Sequence, residues 1–237
     1  MSFEDRLSFQ DRLSNVEARI QRAVERSGRQ RAGVTLVAVS KKFSAERVRE
    51  AYQAGLREFG ENYVQEFADK QPRLADLKDA RFHLIGHLQS NKARQACELF
   101  QAIQTVDSVK LLERLDAAAE SGVVPDILLE IKLSGEENKS GAAPEQLPRL
   151  LEAASKCSRI RISGLMTMPP WSEDAEQSRP YFRRLAELAR KHSLKQLSMG
   201  MSNDFEVAIE EGATVIRVGT ALFGSRPKPQ TGAPQAS

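Results

Sequence analysis

Cysteine is nearly absent from this sequence: Cys97 and Cys157 are the two in 237 residues, and they stand far apart. A disulfide framework is thereby excluded, and a reducing compartment fits. Histidine is almost as scarce, and none of His83, His87 and His192 has a carboxylate–histidine cluster beside it, which speaks against a zinc site. Nor is there a long apolar run at the start. The opening stretch MSFEDRLSFQDRLSNVEARI is charged throughout, so it reads as neither secretion signal nor membrane span, and the cytoplasm is the expected location. An excess of one charge is missing too: 35 Lys and Arg against 32 Asp and Glu leave a net charge of +3, spread over segments that read as solvated helix faces. Nucleic-acid binding needs basic residues gathered on one face, so that class is set aside.

What the sequence has is alternation. Residues 3–8 (FEDRLS) and 9–14 (FQDRLS) nearly repeat, with a period too short for a solenoid, and read as a duplication inside an N-terminal helix. Leu13, Val16, Ile20 and Ala23 give that helix one apolar stripe. From Thr35 a strand-like segment, TLVAVSK (35–41), is followed by helical spacing in SAERVREAYQAG, with Ser44 and Gly55 as candidate caps. The unit recurs at REFGEN (57–62), RFHLIG (81–86), AIQTVDS (102–108), DILLEIKLS (126–134), RISGLMTM (161–168), QLSMGMS (196–202) and TVIRVG (214–219). Eight strands separated by seven helices imply parallel pairing and a single (β/α)8 TIM barrel, an α/β fold, with an open doubly wound sheet as the alternative. No helix pattern follows the eighth strand, so the N-terminal helix is expected to cover that gap. Residues 1–226 read as one domain, and the Pro-, Gly- and polar-rich 227–237 as a disordered tail.

In such a barrel, chemistry gathers at the C-terminal ends of the strands, with phosphate sites after strands seven and eight. Strand one ends in Ser40-Lys41-Lys42. Lys41 shares a face with Val37 and Val39; it is either a snorkelling surface residue or, if it enters the mouth, a desolvated amine able to form a Schiff base. Asn62, after strand two, is a turn residue or a donor to a ligand oxygen. On strand seven Ser198, Gly200 and Ser202 form a face of small residues that leaves room for a ligand. Ser202 also suits a helix N-terminus, as a cap or beside an anion. After strand eight, the N–H groups of Gly219 and Thr220 can cradle phosphate. Arg217 lies on the same inward face and needs an acceptor, either a structural carboxylate or a ligand atom such as a heteroaromatic nitrogen.

AVSK (38–41), FGENYVQE (59–66), FHLIGHLQSNK (82–92), NKSG (138–141), GLMTM (164–168), SMGMSND (198–204) and IRVGTALFG (216–224) together resemble the pyridoxal phosphate homeostasis protein family, in order from about Val34 to Arg226. That family is similar to the barrel domain of alanine racemase, the fold type III pyridoxal-phosphate proteins, without the racemase's β-rich second domain. The resemblance implies pyridoxal 5'-phosphate as cofactor, carried by Lys41 as a Schiff base. It further implies Asn62 beside the ring substituents, Ser202, Gly219 and Thr220 on the phosphate, and Arg217 facing the pyridine nitrogen. His83 and Met166 are implied as walls of the ring, and Lys139 belongs to a loop that the pattern does not place. An always-charged arginine holds the ring nitrogen as an unprotonated acceptor and weakens the electron sink. The implied role is therefore a carrier that buffers or delivers the cofactor and maintains vitamin B6 and amino-acid balance, rather than an enzyme. Pyridoxal-phosphate-dependent apoenzymes are the implied recipients and a monomer the expected state. The alternative is an amino-acid racemase of low or narrow activity.

Overall fold

The computed structural model describes residues 7–119, 125–136 and 140–224; Lys139 and the 227–237 tail lie outside them. Strands β1 (Thr35–Val39), β2 (Glu58–Glu61), β3 (Arg81–Leu84), β4 (Ala102–Val106), β5 (Asp126–Glu130), β6 (Arg161–Met166), β7 (Gln196–Ser198) and β8 (Val215–Val218) pair in chain order into a closed barrel. β1 meets β8 in parallel register from Thr35↔Val215 to Ala38↔Val218, which closes the ring and rules out the open sheet. Outside it run α1 (Phe9–Arg26), α2 (Ala45–Gln53), α3 (Val64–Lys70), α4 (Ala93–Leu99), α5 (Val109–Ala118), α6 (Leu147–Ser155), α7 (Arg179–Lys191), α8 (Phe205–Glu210) and α9 (Thr220–Phe223). Among the described residues, no helix is long and apolar enough to cross a membrane.

Alternation along each strand divides two cores. Leu36 and Ala38 of β1 and Ile216 and Val218 of β8 are buried against the helix layer. Val37 faces the opposite way, its Cγ1 only 3.1 Å from where a Cβ on Gly60 would stand. Bulk is thus concentrated between sheet and helices, where a fully buried Leu, Ile or Val side chain contributes about 1.5–3 kcal/mol. The barrel interior holds smaller and polar groups.

Three sequence expectations shift. Most of the first copy, residues 3–6, lies outside the described residues; Ser8 caps α1, its Oγ accepting from Asp11 N while Asp11 Oδ2 accepts from Ser8 N, so α1 starts with the second copy. Strand eight is followed by a helix of its own, the single turn α9. The gap it leaves is nevertheless covered by α1, whose buried stripe runs Phe9, Leu13, Val16, Ile20 and Ala23. Arg12 Nε donates to Leu222 O at 2.7 Å, and Arg19 and Arg26 pair with Glu206 and Glu210, tying α1 to α9 and α8. Finally, β1 and β7 stop short of the expected Lys41 and Ser202. Lys42 takes φ 64° and Gly200 φ 91°, and neither turn can continue a strand.

Candidate functional site

The C-terminal mouth of the barrel opens into a cavity of about 540 Å³, lined among others by Val39, Lys41, Asn62, Ser202, Arg217, Gly219 and Thr220. That volume lies within the roughly 300–1,000 Å³ of small-molecule sites. Six of the eight residues singled out in the sequence therefore meet around one space, drawn from the ends of β1, β2, β7 and β8.

Lys41 stands two residues past Val39, on the same side, and lines the cavity. Lys42 is exposed, and its N–H donates outward to Glu66 Oε1 at 2.6 Å. Asn62 reaches the cavity because Gly86, on the neighbouring loop, has no side chain: a Cβ there would stand 2.2 Å from Asn62 O. Across the mouth, Gly200 reverses the chain after β7, where a Cβ would meet Ala208 Cβ at 2.6 Å. The turn is held by buried Asp204, whose Oδ1 accepts from Met201 N at 2.7 Å and Oδ2 from Ser178 Oγ at 2.8 Å. Ser202 Oγ then accepts from Gly219 N (3.3 Å) and Ala221 N (3.4 Å), joining the loops after β7 and β8.

Arg217 is buried, yet among the described residues no carboxylate lies within salt-bridge distance of it. Its Nη1 donates to Ser198 Oγ at 2.6 Å and Nη2 to Thr167 O at 3.0 Å. The chain continues downward with a defined direction. Arginine can only donate, so Ser198 Oγ accepts and passes its own proton to Gln104 Oε1 at 2.6 Å. Gln104 Nε2 then donates to His83 Nδ1 at 2.8 Å, and His83 Nε2–H to Glu58 Oε2 at 2.5 Å. In this arrangement His83 directs Nδ1 to Gln104 and Nε2 to Glu58 inside the barrel, and the cavity wall does not include it. Met166 is likewise buried beneath the cavity; Met168, two residues on, reaches the wall. The structure thus does not bring His83 and Met166 to the position expected of them. Burial draws the Arg217 guanidinium down to about 10, so it remains a cation at neutral pH, held by neutral acceptors.

Sequence reading missed Glu130, at the C-terminal end of β5. Its carboxyl lines the cavity, and its Oε2 is buried without a hydrogen-bond partner. Burial first, then repulsion from Asp107, lift it to about 7 against the attraction of Arg217. A signal existed: one acid closing the apolar run DILLE, on the inward face with Leu128. Also missed was Trp171, 74% exposed on the rim.

Residues 12–227 match the family model described as alanine racemase, N-terminal domain. The chain is 45% identical over 223 residues to the pyridoxal phosphate homeostasis protein of Aquifex aeolicus, covering 91% of this chain and 97% of that one. Its counterpart in Pseudomonas aeruginosa is 47% identical over 219 residues, covering 91% and 95%. PipY of Synechococcus elongatus, solved with PLP bound, is 43% identical and superposes with a TM-score of 0.80 over 92% of this chain and all of that one. The chain therefore belongs to the alanine racemase N-terminal domain family and, within it, to the pyridoxal phosphate homeostasis proteins.

Proposed function

We propose that this chain binds pyridoxal phosphate in the barrel mouth, with the aldehyde held on Lys41 as a Schiff base, and that it buffers or delivers the cofactor. The observation that carries the reading is the donor set around one cavity: an amine on one side and an anion cradle beside it, with a donor-only guanidinium below. These residues fit the group. Ser202 Oγ already accepts the N–H groups of Gly219 and Ala221, so its own proton is available to a phosphate oxygen; Thr220 offers its N–H and hydroxyl alongside, and Gly219 lets the backbone approach closely. Arg217, fixed by Ser198 and Thr167, offers its remaining N–H groups to an unprotonated ring nitrogen. Asn62 serves the ring substituents.

Bound there, pyridoxal phosphate supplies an electron sink for carbanions at an amino-acid α-carbon. Arg217 works against that use because it cannot share a proton with the ring. Racemisation would also need a base on the face opposite Lys41. The Tyr52 hydroxyl is committed to Asp79 on the barrel's outside, and Tyr63 is exposed beside Asn62. Tyr63 is the one observation that favours the second reading, a racemase of low activity. The open mouth supports a carrier from which cofactor can pass to apoenzymes, a carrier read here as a cytoplasmic monomer. In the decisive experiment, cofactor-loaded protein and Lys41→Ala are compared for visible absorbance and for solvent-deuterium exchange at the α-carbon of a panel of amino acids. The expected result is a Lys41-dependent band without Lys41-dependent exchange; rapid exchange with racemisation of one amino acid would make this an enzyme.

A further inference from the structure

Behind β1 and β2, on the side facing α3 and away from the cavity, lies a buried charged cluster with no part in ligand contact. Lys70, the last residue of α3, is 8% exposed, and its Nζ donates to Glu61 Oε1 at 2.8 Å and to Ser40 O at 3.1 Å. Glu61 is fully buried, and its Oε1 also accepts from Ser40 Oγ at 2.7 Å. Glu66, a turn before Lys70, lies 3.4 Å from Lys70 Nζ and accepts from Lys42 N–H at 2.6 Å. Apart from the Lys70–Glu66 contact within α3, these bonds end on neighbours of two cavity residues: Ser40 and Lys42 flank Lys41, and Glu61 precedes Asn62.

The backbone explains why a clamp is needed there. Lys42 adopts φ 64°, a left-handed conformation that a side chain disfavours and that holds only where its surroundings impose it. Glu66 takes the N–H that this turn exposes. Lys70 and Phe43 N (3.1 Å) together take the carbonyl of Ser40, so both peptide groups around Lys41 are fixed from outside the barrel. Burying a lysine and a carboxylate costs desolvation that hydrophobic packing would not incur. Burial indeed raises the Glu61 carboxyl against the pull of Lys70, and its Oε2 has no partner. Such a cluster is poor value as a stability device and well suited to orientation.

We infer that Glu61, Glu66 and Lys70 are positioning residues for Lys41, aiming its amine at the aldehyde. This rests on the reading above that Lys41 is the attachment point. Attachment requires the Lys41 amine to add to the aldehyde carbon with loss of one water, so it depends on how the amine is aimed; binding of the phosphate and ring does not. The test compares pyridoxal phosphate with pyridoxamine phosphate, which carries no aldehyde, in wild type, Glu66→Ala, Glu66→Gln, Lys70→Met and the double variant Lys70→Met/Glu61→Gln, the last sparing an unpaired buried carboxylate. Expected is a loss of about tenfold in pyridoxal phosphate affinity for Glu66→Ala and the Lys70 variants, with slower growth of the visible band. Pyridoxamine phosphate affinity stays within about twofold, and Glu66→Gln, which keeps an acceptor for Lys42 N–H, restores the band. Equal losses for both ligands, or none for either, would overturn the inference. Should the Lys70 variants fail to fold, partly exposed Glu66 carries the test alone. A wild-type protein without a Lys41-dependent band would remove the attachment itself, a failure seen before any variant is compared.

Discussion

Replacing Glu130 by glutamine removes a titrating carboxyl from the cavity floor while keeping its shape. In the folded chain that carboxyl titrates at about 7, lifted by burial and by Asp107; its ordinary value is 4.5. Because the folded value lies above the unfolded one, the favourable contribution is complete below about pH 4.5 and is lost as the pH rises through 7. At about 1.4 kcal/mol per pH unit, the rise from 4.5 to about 7 corresponds to about 3.5 kcal/mol, of which about 2.5 kcal/mol falls between pH 5 and 8.5. The pull of Arg217 is already contained in that value, and pH-independent effects of the amide cancel when the two pH values are compared. Urea unfolding of wild type and Glu130→Gln at pH 5 and 8.5 measures the change. The stability difference between the two proteins should move by about 2.5 kcal/mol towards the variant on going to pH 8.5. A difference unchanged within about 0.5 kcal/mol would refute the premise that Glu130 is ionised at a cost in this cavity.

Three further outcomes test the site. Gly86→Ala places a Cβ 2.2 Å from Asn62 O and should cost about 1–3 kcal/mol, read as a lower midpoint in thermal or urea unfolding. Thr220→Val removes a hydroxyl from the phosphate cradle and should weaken pyridoxal phosphate by about tenfold or more while hardly changing unphosphorylated pyridoxal, measured by titration; equal losses would remove the phosphate assignment. Gln104→Leu interrupts the chain between His83 and Ser198, leaving buried partners unsatisfied, and should cost about 1–3 kcal/mol in urea unfolding, whereas Gln104→Glu, which keeps the acceptor for Ser198 Oγ but not the donor to His83, should recover part of it.

Most of the architecture was legible because it depends on local periodicity. All eight strands begin at or within one residue of the start of the expected segments, the largest shifts being β2 at Glu58 for 57 and β8 at Val215 for 214. Their C-terminal ends were harder, since a strand stops where the backbone turns. Lys42 at φ 64° gives no composition signal, whereas Gly200 does. α9 escaped notice for a related reason: one helical turn is too short to show an apolar period.

The site divides along a different physical line. Lys41, Ser202 and Arg217 follow from two-residue alternation along or just past an apolar strand, a property of each strand alone. His83 and Met166, implied only as walls of the ring, lie on inward faces but outside the cavity lining, and the difference is one of depth. Depth in a barrel depends on pairing between strands, which tilt and are staggered against one another. His83 is in register with Gly60, and Gly60 with Val39, two residues short of Lys41. Met166 pairs with Ser198, and Ser198 with Val215, two residues short of Arg217. Each therefore lies one inward layer beneath Lys41 and Arg217, and His83 is linked to Arg217 through Gln104 and Ser198. No single strand carries that information, because the stagger is set by all eight at once when the ring closes. The same geometry brings in Glu58, at the start of β2, whose Oε2 meets His83 Nε2 and anchors the lower end of the chain that Arg217 directs from above.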